Sequence, residues 1–183
     1  GPHEYPFVDA LTSNGYTVRM GVTGLAFRTY FGPSVVFDIP RTHRNIRSAT
    51  AVYFARFGLL VLSMWLDHSI EKMKPIESID SFLRSRMHGL EVDRIVIGID
   101  SNDWSGLGFP VHQHVTLLGL PVYNASPAVP SCCEDSGYSL VGDYILDSDP
   151  DKSTQVTAGS EGRTQLMSDH VAVVATIILA ASR

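Results

Sequence analysis

Three polar points interrupt apolar runs in the second half of this chain. Asp100 and Asn102 close the run over 95–99, Asp143 lies inside the short run 141–146, and Ser168-Asp169-His170 opens the long run 171–179. Carboxylates, an amide and an imidazole at strand ends meet water and ligand without the full cost of burial. Hard oxygen donors of this kind suit Mg²⁺-class cations. A histidine steadied by a carboxylate can stay charged near neutral pH. Three such ends in one chain can converge on one pocket. The plainer roles for the same residues are turn and helix caps, which Asp and Asn commonly supply.

Other candidates carry less. His112 and His114 share a face at strand spacing, but zinc takes three or four ligands and no third lies nearby in sequence. Arg41, His43, Arg44 and Arg47 form the one basic cluster and read as a solvated loop rather than a phosphate grip. Trp104 and Phe109 read as core packing rather than a stacking platform. Cys132 and Cys133 are adjacent, lack zinc-ligand spacing, and belong to a pair type that rarely bridges. Free thiols in a reducing, intracellular compartment are therefore expected.

The elements that must position these residues follow from periodicity and punctuation. A short amphipathic helix is expected over 4–11, stopped by Asn14-Gly15. Strands are expected over 16–21, 25–31 and 34–39, then a hairpin of 49–57 and 59–66 joined at Gly58. Residues 74–88 read as the one long helix, with Pro75 in its first turn and Gly89 as its stop. Strands follow over 95–99, 112–118 and 141–146, and the last follows Asp169. Residues 121–138 read as a long loop, and 147–154 as an acidic turn. Many strands with few helices give an α+β fold of two packed sheets with helices outside.

At 183 residues, 44% hydrophobic and 18% charged, the chain suits one globular domain with a substantial core. The net charge of −5 argues against broad phosphate-backbone binding, though not against a local patch. The longest apolar stretch is too short to span a bilayer, and no basic-then-apolar leader is visible. Gly1-Pro2-His3 reads as a cleavage scar from expression, so sequence upstream is expected.

In this order and near these separations, Ile95 to Asn102, Asp143-Tyr144-Ile145 and Ser168-Asp169-His170 resemble a known set. They look like the C-terminal half of the DNase I-like endonuclease/exonuclease/phosphatase superfamily. Its hallmarks there are a strand ending in G-D-x-N, a later D-Y-I and a final S-D-H. The resemblance implies a four-layer α/β sandwich, shortened at its N-terminus, with 1–183 as one such domain. It implies that Asp100 orients or deprotonates the attacking water and shares in the metal site with Asp169. Asn102 would hold a phosphate oxygen, and His170, oriented by Asp143, would contact the scissile phosphate. Mg²⁺ or Mn²⁺ would be the cofactor, and nucleic acid or another phosphodiester the substrate.

The departures lie in the N-terminal half. Nothing upstream of Tyr16 resembles the family's asparagine strand or the strand with its metal-binding glutamate. Trp65 stands where the family has a histidine, with His68 three residues on, and Ile99 replaces the glycine before Asp100. Two functions follow from the resemblance. One is a divalent-metal-dependent phosphodiester hydrolase, nuclease-like, with an incomplete active site. The other is a catalytically degenerate scaffold that binds a protein partner or serves assembly.

Overall fold

Strand formation here follows from alternation. Leu60, Leu62, Met64 and Leu66 are buried, while Val61, Ser63 and Trp65 between them are only partly covered. A period of two places the first set on one face of a sheet and the second on the other. The computed structural model describes residues 6–20, 23–68, 72–102, 115–125, 131–132, 141–149, 154–158 and 173–179.

The elements are α1 (Pro6–Ser13), β1 (Tyr16–Met20), β2 (Gly24–Arg28), β3 (Ser34–Ile39), β4 (Ile46–Phe54), β5 (Leu59–Leu66) and α2 (Met73–Arg86). They continue with β6 (Arg94–Asp100), β7 (Val115–Leu117), β8 (Leu120–Asn124), β9 (Asp143–Asp147), β10 (Thr154–Ala158) and β11 (Val173–Ile177). Seven strands form one mixed sheet in the order β3-β4-β5-β6-β9-β8-β7, and β1–β2 and β10–β11 are separate antiparallel pairs. Within the large sheet β5 and β6 run parallel, and its other neighbours are antiparallel. A parallel pair needs a crossover, and α2 supplies it.

One face of the large sheet packs against α2. Ile76, Ile79 and Leu83 are buried against the even-numbered side chains of β5, with Ile95, Ile97 and Ile99 of β6 and Tyr144 and Leu146 of β9. Each fully buried aliphatic side chain contributes about 1.5–3 kcal/mol, so this face carries most of the stability. The other face holds Val52, Phe54, Leu59 and Val96, covered by Leu25, Phe27 and Phe31 on one side and by Ile177 and Leu179 on the other. Phe27 meets Phe54 edge to face, with centroids 4.9 Å apart. The result is the expected α+β sandwich, with layers on both faces of a central sheet.

At one end of this second face Arg94 and Asp147 form a two-pronged ion pair, Nε to Oδ1 at 2.9 Å and Nη2 to Oδ2 at 2.6 Å. Their side chains are 8% and 0% exposed. Arg94 Nη1 also donates to the Ile178 carbonyl at 2.6 Å, which ties β6, β9 and the end of β11 together. The hydrogen bonds it donates to Asp147 hold the guanidinium above its ordinary pKa, against the opposing effect of burial.

Two elements correct the sequence expectation. Residues 120–124, expected at the start of a long loop, form β8. Leu118 (φ 53°) and Gly119 (φ 87°) make a two-residue turn in the left-handed region, which matches strand twist and closes β7 onto β8. Pro121 argues against a strand on its face, but β8 pairs with β9 only at Tyr123 and Asn124, beyond the position that lacks an N–H. Residues 154–158 form β10, which overlaps the acidic turn expected over 147–154 only at Thr154; five residues are too short a pattern to read alone, and the ladder to β11 decides.

The Cys132 free thiol is a third correction. Cys132 is fully buried and disulfide-bonded. The rarity behind the expectation is a frequency and not a geometric prohibition. Among the described residues no helix is long and apolar enough to cross a membrane.

Candidate active site

The last residue of β6 and the first of β9 meet. Asp100 pairs in register with Asp143, and on its other side with Trp65 of β5, which in turn pairs with Ser48 of β4. Trp65, Asp100 and Asp143 thus form one row across three strands. Cβ atoms of directly opposed residues lie roughly 4.5–5.5 Å apart, and like charges so placed repel. Two sequence-predicted site residues, 43 positions apart in the chain, are brought together by the ladder.

Local hydrogen bonds fix both carboxylates. Asp100 Oδ1 accepts from the Asn102 backbone N–H at 3.0 Å, bending the chain as it leaves β6. Asn102 sits at φ 48°, a conformation that asparagine tolerates better than most residues. It is buried, and one hydrogen of its Nδ2 goes to the Leu66 carbonyl at 2.8 Å. Ser101 donates twice to the Gly142 carbonyl, from N at 2.8 Å and Oγ at 2.9 Å, locking the exit of β6 to the entry of β9. Asp143 Oδ2 accepts from Ser131 Oγ at 2.6 Å, and the Asp143 N–H donates back to that oxygen at 3.3 Å.

Beneath Asn102 lies a lysine. Lys72 is 4% exposed, and its Nζ donates to the carbonyls of Asp67 (2.6 Å), Ser101 and Asn102 (3.3 Å). It directly precedes α2, so the ammonium joins the exits of β5 and β6 to the start of the crossover helix. Sequence reasoning missed this residue, since a lysine among Glu71, Lys72 and Lys74 reads as solvated surface. It missed Ser131 for a similar reason.

Trp65 has its own setting. The Arg47 guanidinium lies 4.8 Å from the ring centroid and bonds Asp67 Oδ1 through Nε (3.2 Å) and Nη2 (2.9 Å). Arg47 therefore belongs to β4 and a defined pair rather than to a solvated basic loop. Its hydrogen bond, followed by the His68 N–H, draws the Asp67 carboxyl below the ordinary range.

The row stands at one end of a cleft of about 550 Å³. Ser63, Gly98 and Ile145 form the next row of its lining, Val61 and Val96 the apolar row beyond, and Thr23, Leu25 and Ile177 complete it. Carboxylate oxygens suit Mg²⁺ or Mn²⁺ in type. Among the described residues no group of three or more His, Cys, Asp or Glu side chains is placed to hold a metal ion. Ser168, Asp169 and His170 lie outside the described residues, as do His112, His114, Trp104, Phe109 and Cys133.

No protein-family model matches the sequence, and no curated protein does. Solved structures do match. The human Nocturnin catalytic domain with bound sulfate superposes with a TM-score of 0.59 at 12% identity, over 97% of this chain and 77% of its own. A mannosyl-6-phosphatase of Bacteroides thetaiotaomicron gives 0.58 at 12%, over 94% and 82%. The endonuclease domain of TRAS1, a telomere-specific non-LTR retrotransposon, gives 0.54 at 15%, over 94% and 90%. A mixed sheet covered by α2 on one face and by two hairpins on the other, with its carboxylates gathered at one strand end, is the DNase I-like fold of the endonuclease/exonuclease/phosphatase proteins.

Proposed function

We propose that this protein is a divalent-metal-dependent phosphodiester hydrolase of the nuclease type, acting at the row formed by Trp65, Asp100 and Asp143. The observation that carries the reading is the in-register opposition of Asp100 and Asp143 at the open end of a cleft. Two carboxylates brought side by side by the ladder offer hard oxygen donors of the kind a divalent cation takes. The fold is one on which a phosphatase and an endonuclease domain are built, which supports the reaction class.

Asp100 with Asp169 would hold the ion, which when bound supplies charge neutralisation for the phosphate oxygens. Asp100 lines the cleft, accepts from the Asn102 N–H through Oδ1, and would orient the attacking water or take its proton. The amide of Asn102 is anchored at Leu66 and would hold a phosphate oxygen beside Asp100. Asp143 would orient His170 against the scissile phosphate while Ser131 fixes its other oxygen.

The test is calorimetric titration of Mn²⁺ beside hydrolysis of bis(4-nitrophenyl) phosphate, in the parent protein and in Asp100→Asn. Saturable binding with turnover, both lost in the variant, is expected. A second reading has its own support: Trp65 occupies the row, and the described residues offer fewer than three ligands. A folded protein that ignores Mn²⁺ and EDTA alike would make the chain a binding scaffold.

A further inference from the structure

Lys72 sits where a lysine is costly. It is 4% exposed, and an ammonium taken out of water must recover its hydration from the groups around it. Its three hydrogens meet three carbonyls: Asp67 at the exit of β5, and Ser101 and Asn102 at the exit of β6. Tying two strand exits together does not need a charge. Neutral groups do it on the other side of β6, where Ser101 donates from N and Oγ to the Gly142 carbonyl.

The peptide between Ser101 and Asn102 gives the charge a use. In a planar trans peptide the C=O and the N–H point in opposite directions. Lys72 takes the Ser101 oxygen on one side, and on the other the Asn102 N–H donates to Asp100 Oδ1 at 3.0 Å. One peptide unit therefore stands between a buried ammonium and a carboxylate of the candidate site. Hydrogen bonds in such a chain polarise one another, so the ammonium at the oxygen strengthens the bond that the N–H makes. The same ammonium holds the next carbonyl, that of Asn102, at 3.3 Å, while the Asn102 side chain is anchored at Leu66. The plane of the peptide is set at both ends, and with it the direction from which its N–H meets Asp100.

We infer that Lys72 is a positioning residue for Asp100: through the Ser101–Asn102 peptide it fixes the orientation of the carboxylate that acts on the attacking water. It works through the peptide and not by contact with substrate, since carbonyls take up its hydrogens. A carboxylate displaced by an ångström loses its alignment with the reacting atoms, an error that costs up to about a hundredfold in rate. The catalytic consequence rests on the hydrolase reading above; the grip on Asp100 does not.

The experiment reads Asn102 directly, by its amide proton resonance without metal, and the reaction by kcat and KM for bis(4-nitrophenyl) phosphate with Mn²⁺. The proteins are the parent, Lys72→Met, Lys72→Arg, Asp100→Asn and, as a control, Arg94→Met, which breaks a buried ion pair at the far end of β6. Circular dichroism and melting establish that each is folded. In Lys72→Met the resonance should move upfield, in the direction of Asp100→Asn. Its kcat should fall about tenfold or more, with KM changed by less than about twofold. Lys72→Arg, which keeps the charge and the donors, should recover part of both. Arg94→Met should lower the melting temperature and leave resonance and kcat as in the parent, which separates positioning from general loss of stability. If Lys72→Met does not fold, Lys72→Gln takes its place, keeping a donor without the charge, and should move the resonance the same way. A folded Lys72→Met or Lys72→Gln with the parent's resonance, or with the parent's kcat, overturns the inference, and so does an equal fall of kcat in Arg94→Met. A parent without turnover sinks the hydrolase reading instead. The Asn102 resonance then decides alone, upholding the grip on Asp100 if it moves in the Lys72 variant and overturning it if it does not.

Discussion

Asp100 and Asp143 face each other across the β6–β9 ladder, Asp100 accepting from the Asn102 N–H at 3.0 Å and Asp143 from the Ser131 hydroxyl at 2.6 Å. Ser131→Ala removes the second of these donors. It should cost about 1.5–3 kcal/mol of stability, the value of a hydrogen bond to a charged group, and weaken Mn²⁺ binding. Urea unfolding with EDTA and calorimetry with Mn²⁺ measure the two, and a variant as stable as the parent would refute the prediction.

Lys72 supports the peptide that carries Asn102. Lys72→Met keeps the length of the stem and removes the ammonium, leaving the buried carbonyls of Ser101 and Asn102 and the half-buried one of Asp67 without that donor. Leaving buried acceptors unmet costs about 1–3 kcal/mol each at most, so a loss of about 2–4 kcal/mol in total is expected. Denaturant unfolding checks the magnitude. Amide exchange at Asn102 checks the place, and it should accelerate well before that of the β6 interior.

Arg94 and Asp147 are the buried ion pair of the molecule's described part. Arg94→Met strands a carboxylate that is 0% exposed, a change that costs about 3–5 kcal/mol when one partner of a buried pair is removed. The double variant Arg94→Met, Asp147→Leu should recover most of it. Chemical denaturation of the three proteins makes the comparison, and an additive double variant would show the pair is not coupled.

Tyr53 sets an alkaline limit. Its hydroxyl donates to the Glu91 carbonyl at 2.6 Å, and burial first, then Asp93 and Glu91, raise its pKa above the ordinary tyrosine range. The folded state thus keeps a proton that the unfolded chain releases. Its contribution is fully present below the unfolded pKa and is lost as pH rises through the folded one. Tyr53→Phe should flatten the fall of melting temperature above that point while costing about 1 kcal/mol at neutral pH through the lost hydrogen bond. Phenolate absorbance against pH locates the titration.

How much of this was legible in the residues follows from range. The hairpin at Gly58, α2 with Pro75 in its first turn, and the strand ending at Asp100 are local patterns, and periodicity finds them. The register of Asp100 with Asp143 was only suggested by two polar points in apolar runs, because pairing is a tertiary fact. β8 hid behind Pro121 and β10 behind its shortness, each made a strand by its partner. Lys72 gave no signal at all: a charged residue beside other charges looks solvated until the fold closes over it.

β6 is a single seven-residue strand with Arg94 at one end and Asp100 at the other. The fastening of the layers and the proposed chemistry thus occupy opposite ends of one short rod, about 20 Å apart at roughly 3.3 Å per residue. Substitutions that retune the mouth need not disturb the rivet, and strengthening the rivet need not stiffen the mouth. A lineage built on this plan can change what it accepts while keeping what holds it together.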